Sequence, residues 1–179
     1  MVRKKGKMSV VFDRIKFIVA GSTVKRFHTM DTIKEETVGH HSFLVACLVI
    51  ELGGSFLDTA KALYHDLPEQ VTGDLPSPLK AGEGFSDTFK DLEEVMFESH
   101  YIPSVERGGK DWRILKIADI LSGILYCIRE KELGNSRIEI ALNNYLSYLE
   151  NFSPFTGKEL VVVNSVLHIV GKELYNVSE

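Results

Sequence analysis

Residues 62–80, ALYHDLPEQVTGDLPSPLK, place four titratable side chains within ten positions, just beyond an apolar helical pattern. The four side chains are those of His65, Asp66, Glu69 and Asp74. Pro68 disfavours helical geometry at the residue before it, so the helix is predicted to end close to the His-Asp pair. Imidazole and carboxylate groups are ligands for divalent transition metals, and they also act as general acids and bases. An ordinary helix end that runs into a polar loop is the alternative interpretation.

A metal at this helix end needs further ligands from distant segments, and two apolar helical stretches offer them. VGHHSFLV contains His40 and His41, and ILKIADILSGIL contains Asp119. A buried carboxylate is costly unless it is paired or bound to metal, although Asp119 can also pair with Lys116 one helical turn earlier. A lone histidine is more often an ordinary core residue than a ligand. Two imidazoles with two carboxylates suit Mn, Fe, Co, Ni or Zn better than Ca.

The elements that must position these residues are all predicted to be helices joined by short loops, in a single all-α bundle. Thr37 is predicted to cap the helix that contains His41 and stops at Gly53-Gly54, after a polar loop over residues 22–37. The other helices are predicted over residues 9–20, 56–66, 86–100, 110–132, 136–151 and 157–175. Residues 1–8 are expected to be a basic, flexible terminus, and residues 9–179 one domain.

Composition excludes several classes of protein. The 179 residues are 44% hydrophobic and 26% charged, as in an ordinary globular domain, and the net charge of −4 makes nucleic-acid binding unlikely. Residues 1–30 carry eight Lys or Arg and one acid, which leaves a polyanion contact through MVRKKGK as an alternative to simple solvation. No run approaches the roughly 18 apolar residues of a membrane span. Cys47 and Cys127 lie in apolar helical patterns and are expected to be free thiols, so the protein is predicted to be cytoplasmic, in a cell or an infected host.

The motifs, taken in order, carry a resemblance to a known superfamily. The chain resembles the HD-domain metal-dependent phosphohydrolases, in particular the bacterial 5′-deoxynucleotidases and phage dATP triphosphohydrolases. The motifs that carry this resemblance are RFHT, TVGHHS, YHDLPEQVTGDLPSPLK and KIAD, in this order. The resemblance runs from about residue 26 to residue 135, and it implies a helical bundle of the HD-domain type. It also implies one divalent metal ion held by His41, His65, Asp66 and Asp119. The family places its first ligand histidine directly before a serine, which selects His41, next to Ser42, over His40. The chain departs from the family at His40, a position where the family often has Glu.

The resemblance further implies that Glu69 and Asp74 lie beside the substrate, and the chemistry of each side chain suggests what the remaining candidates would do. Glu69 would orient or deprotonate the attacking water, and Asp74 would bind the sugar 3′-hydroxyl or protonate the leaving oxygen. By the resemblance, Arg26 would contact phosphate and Phe27 would lie against a 2′-deoxyribose. Lys80 and Lys116 are further cations that would hold a longer phosphate tail, with ordinary surface solvation as the alternative for both. The expected reaction converts a deoxynucleoside monophosphate to deoxynucleoside and phosphate. A triphosphohydrolase releasing tripolyphosphate is the first alternative, and a non-catalytic nucleotide-sensing module is the second. A homo-oligomer is expected.

Overall fold

The computed structural model describes residues 7–75, 85–100, 102 and 109–171 of the chain. Its α-helices are α1 (Lys7–Ser22), α2 (Val38–Glu51), α3 (Phe56–Tyr64), α4 (Glu69–Thr72), α5 (Phe85–His100), α6 (Lys110–Glu132), α7 (Glu139–Glu150) and α8 (Gly157–Val170). A 3₁₀ turn, Ser136–Ile138, leads into α7. The β structure in the described residues is a single antiparallel bridge between Lys25 and Thr37. The predicted all-α fold is therefore confirmed.

Several helix ends follow local sequence rules. The Thr37 side chain accepts a hydrogen bond from the backbone N–H of His40 and caps α2, as predicted. Ser55 and Asp58 form a reciprocal capping box at the start of α3. Two predicted helix ends were wrong, and one short helix was not predicted. The helix predicted to reach residue 66 ends at Tyr64, and α4 was not predicted. The last helix ends at Val170 because Gly171 adopts a left-handed φ of 68°. Residues 172–175 lie outside the described part of the chain.

Helix α6 is the centre of the bundle. Its buried residues lie on more than one face, and they pack against α2, α3 and α7. Gly123 lets α7 approach closely, since a Cβ atom at this position would collide with the ring of Tyr145. Among the described residues no helix is both long and apolar enough to cross a membrane. The consequence for the site is that α6 is fixed from several sides.

A second, smaller core supports the turn after α3. Phe17 of α1, Leu67 and Ile102 are its buried members. The ring of Phe17 stacks on His100 with 4.1 Å between ring centroids. A Cβ atom on Gly21 would lie 2.8 Å from Leu67 Cδ2, so the end of α1 packs directly on the residue that follows the His-Asp pair. This packing fixes the turn from behind.

Candidate active site

The four predicted metal ligands lie together at the junction of α2, α3 and α6. His41, His65 and Asp66 each offer one donor atom, and these atoms lie within 4.8 Å of one another. Asp66 Oδ2 is 3.5 Å from His41 Nε2 and 3.4 Å from His65 Nε2. Asp119 Oδ1 approaches from the α6 side, 3.1 Å from His41 Nε2. Segments 78 residues apart in the sequence therefore converge on one point.

Both histidines are oriented by a hydrogen bond at the other ring nitrogen. His65 Nδ1 lies 2.7 Å from the carbonyl oxygen of Ala62, which can only accept, so Nδ1 carries the proton. His41 Nδ1 lies 3.0 Å from the hydroxyl of the buried Ser122. The two Nε2 atoms are buried and make no hydrogen bond to any described residue. Orphaned, oriented Nε2 atoms beside carboxylates are the donor set of a transition-metal site, and the residues thus fit the predicted ion.

The adjacent residues His40 and His41 differ in how deeply they are buried. His41 is fully buried, and burial, with the charge of Arg26, lowers the pKa of its imidazole to about 4. It is therefore neutral at physiological pH, as a metal ligand must be. The side chain of His40 is 58% exposed, and its Nδ1 lies 3.6 Å from Glu36. Of the two, His41 is the histidine that the structure brings to the cluster.

Asp119 has both of the contacts that its sequence position allowed, one with the cluster and one with Lys116. Its Oδ1 faces His41, while its Oδ2 lies 3.1 Å from the ammonium group of Lys116 one turn earlier. Burial alone would raise the pKa of Asp119, but the charge of Lys116 and the close approach of His41 outweigh burial and hold that pKa well below its usual range. The carboxylate is therefore charged, and it faces the cluster with one of its oxygens.

A cavity of about 230 Å³ opens beside the cluster. Among the described residues, its lining includes the predicted substrate-binding and catalytic residues Arg26, Phe27, Glu69, Asp74 and Lys116. Two of the metal-ligand candidates, Asp66 and Asp119, also line it. Glu69, at the start of α4, is 4% exposed. Lys80 lies outside the described residues. The cavity is large enough for part of a small ligand whose polar end meets the cluster.

Arg26 is held rigidly at the cavity wall. Its Nη1 donates to Glu36 Oε2 at 3.0 Å, and both side chains are almost fully buried. Burial acts to lower the pKa of Arg26, but the nearby Tyr145 and the carboxylates of Asp66, Glu36 and Asp119 outweigh burial and raise that pKa. The guanidinium therefore keeps its charge. Its Nε is buried and lacks a hydrogen-bond partner among the described residues. A charged side chain that lines a cavity and keeps such a donor is suited to an anion.

Phe27 lies in a backbone conformation that non-glycine residues seldom adopt. Its φ is 57°, and its backbone N–H donates to Asp74 Oδ2 at 2.8 Å. The ring stacks on Tyr126 at 4.5 Å and meets the edge of Tyr145 at 6.3 Å. Such strain persists only where surrounding contacts enforce it, often at functional sites. Asp74 therefore fixes the neighbour of Arg26 in addition to lining the cavity.

The opposite cavity wall was not predicted from the sequence. It consists of one face of α7, formed by Ala141, Asn144, Tyr145 and Tyr148. Burial raises the pKa of Tyr145, so its phenol stays protonated and can donate a hydrogen bond. The spacing i, i+3, i+4 and i+7 marks one helix face, but the same spacing is typical of a core helix, so it gave no sign of a ligand.

Comparison with known proteins identifies relatives over most of the chain. The family model described as 5′-deoxynucleotidase YfbR-like matches residues 15–160. A dATP triphosphohydrolase of Salmonella phage PMBT28 is 26% identical over 167 residues, covering 84% of this chain and 85% of the phage protein. The 5′-deoxynucleotidase YfbR of Salmonella typhi is 27% identical over 153 residues, covering 71% of this chain and 77% of that enzyme.

Solved structures share the fold. An HD-domain phosphohydrolase from Listeria innocua superposes with a TM-score of 0.73 at 18% identity, covering 91% of this chain and 90% of the other. The HD phosphohydrolase of cyanophage S-2L, bound to dA and one catalytic Zn²⁺ ion, gives a TM-score of 0.64 at 15% identity, with 86% and 91% covered. These likenesses confirm the predicted bundle of the HD-domain type.

Proposed function

The chain belongs to the YfbR-like 5′-deoxynucleotidase family of HD-domain hydrolases, and from this premise we propose that it hydrolyses the 5′-phosphoester of 2′-deoxynucleoside monophosphates. The observation that carries the proposal is the pairing of two buried, orphaned imidazole Nε2 atoms with a cavity into which Arg26 presents its charge. A phosphate group needs both features, since its charge must be neutralised while the attacking water is positioned. The products are a deoxynucleoside and phosphate.

One divalent transition metal ion is the cofactor that the donor set supports, with Zn, Mn, Co, Ni and Fe all compatible. We propose His41, His65, Asp66 and Asp119 as its ligands. When bound, such an ion supplies Lewis-acid charge at the phosphate and favours ionisation of a water molecule. The carbonyl of Ala62 and the hydroxyl of Ser122 hold the imidazoles in orientation, so binding requires little rearrangement of either ring.

The remaining roles follow from the chemistry of the cavity walls. Arg26 would bind the phosphate through its Nε–H, and Lys116 would add a second positive charge. Glu69, buried at the cavity wall, would take the proton of the attacking water as the bond between phosphorus and the 5′ oxygen breaks. Asp74 would meet the sugar, since it is hydrogen-bonded to Phe27, whose ring is the proposed barrier to a 2′-hydroxyl. Protonation of the leaving 5′ oxygen by Asp74 is the other role open to it.

The number of cations favours a monophosphate. In the part of the chain that the structure describes, Arg26 and Lys116 are the cationic side chains that line the cavity, and each already faces a carboxylate. A monophosphate carries a charge of about −1.5 to −2 near neutral pH, whereas a triphosphate brings considerably more. A dATP triphosphohydrolase remains the alternative, because Lys80 could supply further charge. The proposed setting is the cytoplasm, where free thiols such as Cys47 and Cys127 persist.

The test is a product assay with purified protein, the four deoxynucleoside mono- and triphosphates, AMP and ATP. Each is incubated with Co, Mn or Zn and with a chelator, and phosphate is measured separately from tripolyphosphate. Phosphate released from deoxynucleoside monophosphates supports the proposal, while tripolyphosphate from dATP alone supports the alternative. His41→Ala should abolish metal retention and turnover, whereas His40→Ala, the matched control, should keep both. Absence of any product with every metal would refute the catalytic assignment.

A further inference from the structure

The hydroxyl end of Tyr145 rests on the central helix α6, beside the cluster of proposed metal ligands. Its Cζ atom, which carries the hydroxyl, and both Cε atoms lie against Gly123, closer than any side chain there would allow. Gly123 follows Asp119 by four residues, so the two lie on one face of α6. It also directly follows Ser122, the hydrogen-bonding partner of the His41 imidazole. The phenol is therefore seated one helical turn from the carboxylate that faces the cluster.

The phenol is also an electrostatic neighbour of Arg26, the proposed phosphate contact. Burial acts to lower the pKa of Arg26, and among the groups that raise it Tyr145 acts most strongly. Burial raises the pKa of Tyr145 in turn, and Arg26 acts against that rise. Asp119 and Asp74 add to it. Such mutual effects need groups that are close together, because water screens distant charges. Tyr145 therefore lies among the residues proposed for phosphate, metal and sugar.

The Tyr145 hydroxyl is a donor that the described residues leave unused. None of them accepts a hydrogen bond from it, and the ring of Tyr145 meets that of Phe27 by its edge, with 6.3 Å between centroids. The other polar side chains of the α7 wall, Asn144 and Tyr148, are exposed and can bond to water, whereas Tyr145 is partly buried. A buried tyrosine hydroxyl usually has a hydrogen-bond partner. Because Tyr145 lines the cavity, a bound ligand is in position to be that partner.

We propose that Tyr145 is a further substrate-contacting residue, whose phenol donates a hydrogen bond to a phosphate oxygen from the α7 wall. This inference rests on the proposed function, because it uses the phosphate position that Arg26 defines there. A phosphate group has three strong acceptor oxygens. In the described part of the chain, Arg26 and Lys116 are the cationic side chains that line the cavity, and neither belongs to α7. A neutral donor on α7 would serve an oxygen turned away from them, without adding charge to a cavity wall.

The experiment compares Tyr145→Phe with the wild type in the manganese-loaded full chain. Phenylalanine keeps the ring against Gly123 and Phe27 and removes only the hydroxyl. The Kd for inorganic phosphate, measured by isothermal titration calorimetry, should rise about tenfold to a hundredfold, as expected when one hydrogen bond to a charged group is lost. The kcat/KM for deoxynucleoside monophosphates should fall by a similar factor, while metal content and the affinity for deoxyadenosine stay unchanged. Ser147→Ala is the matched control, because it removes an exposed hydroxyl from the same helix outside the cavity.

Circular dichroism and the thermal midpoint will show whether each variant is folded. An unchanged phosphate Kd in Tyr145→Phe overturns the proposal, and so does a wild type that binds no phosphate. A loss of deoxyadenosine affinity with phosphate affinity intact would assign the hydroxyl to the sugar instead, and an equal loss in Ser147→Ala would leave no specific contact. Failure of the proposed function looks different: the wild type then releases no phosphate from any deoxynucleotide, and the phosphate Kd of Tyr145→Phe still decides whether the hydroxyl contacts phosphate.

Discussion

Glu130 is expected to position the loop that carries Arg26 and Phe27, and Glu130→Gln tests this. Its side chain is fully buried in α6. One carboxylate oxygen accepts from the backbone N–H of Ile33 at 2.7 Å, and the other accepts from the N–H of Lys34 at 2.7 Å. The Asn135 side chain adds a third donor at 2.8 Å. The end of the loop is thereby fixed to the central helix.

The size of the effect follows from these contacts. A hydrogen bond to a charged group contributes about 1.5–3 kcal/mol. In Glu130→Gln one oxygen remains an acceptor, while the new amide group turns a donor toward a backbone N–H. We expect the free energy of unfolding to fall by about 2–4 kcal/mol at pH 7.

The pH dependence has a definite sign. Burial would raise the pKa of Glu130, but the Asn135 amide and the N–H groups of Ile33 and Lys34 outweigh it and lower that pKa below the usual 4.5. A depressed folded-state pKa means that the charged carboxylate contributes its stabilisation above pH 4.5 and loses it as the pH falls through the folded-state value. The difference between wild type and Glu130→Gln should accordingly be constant near neutrality and shrink below about pH 4.5.

The assay combines urea unfolding with steady-state kinetics of deoxynucleoside monophosphate hydrolysis. We expect KM to rise because Arg26 and Phe27, the proposed contacts to phosphate and sugar, lose their fixed position, while metal content stays at the wild-type level. Glu132→Gln, two residues along the same helix and exposed, is the matched control and should change neither quantity. A Glu130→Gln enzyme with wild-type KM and stability, or one that loses metal in proportion to activity, would refute the positioning role.

Three further predictions concern packing and selectivity. Gly123→Ala should destabilise the protein by about 1–3 kcal/mol in urea unfolding, because its methyl group would collide with the Tyr145 ring; an unchanged midpoint would contradict this. Arg113→Ala should cost about 1–3 kcal/mol, because Arg113 pairs with Glu159 and donates to two loop carbonyls, whereas an effect below 0.5 kcal/mol would mean solvent replaces these contacts. Phe27→Ala should reduce the preference for dAMP over AMP about tenfold or more, and an unchanged ratio would remove Phe27 as the selectivity determinant.

Much of the fold was predictable because its signals are local. Apolar periodicity placed the long helices to within a few residues, and Thr37 marked the start of α2. The misses occurred where local signals are weak or compete. Four-residue α4 is too short to show a period, and Gly171 ends α8 within a pattern that otherwise continues.

Candidate ligands were predictable from residue types, whereas their supports were not. Two features of the sequence are unusual: a carboxylate, Asp119, within an apolar stretch, and a His-Asp pair shortly before Pro68. The ion pair of Arg26 with Glu36 and the hydrogen bond from Phe27 to Asp74 join residues 10 and 47 positions apart. In the sequence, Glu130 is one more charged residue near a helix end, and its two backbone partners lie 96 and 97 positions away. Such pairings depend on the tertiary fold and leave no local pattern.

A single stripe of α6 connects the two halves of the site. Asp119, Ser122, Tyr126 and Glu130 follow one another at spacings of three, four and four, which places them on one helix face. The first two contact His41, while Tyr126 stacks on Phe27 and donates to the carbonyl of Lys34 at 2.6 Å. Burial raises the pKa of Tyr126 to about 12, so this donor persists at neutral pH.

The stripe sets the distance between the proposed metal ligands and the loop that carries Arg26 and Phe27. Eleven residues of helix separate Asp119 from Glu130, a rise of about 16 Å. A helix that is buried on several sides resists bending and slipping. The distance between Asp119 and Glu130 is therefore fixed by the backbone hydrogen bonds of α6 and does not depend on how the loop packs. In the proposed reaction, a phosphate between Arg26 and the cluster would therefore meet both at a constant spacing, which is the condition for aligning an attacking water with the bond that breaks.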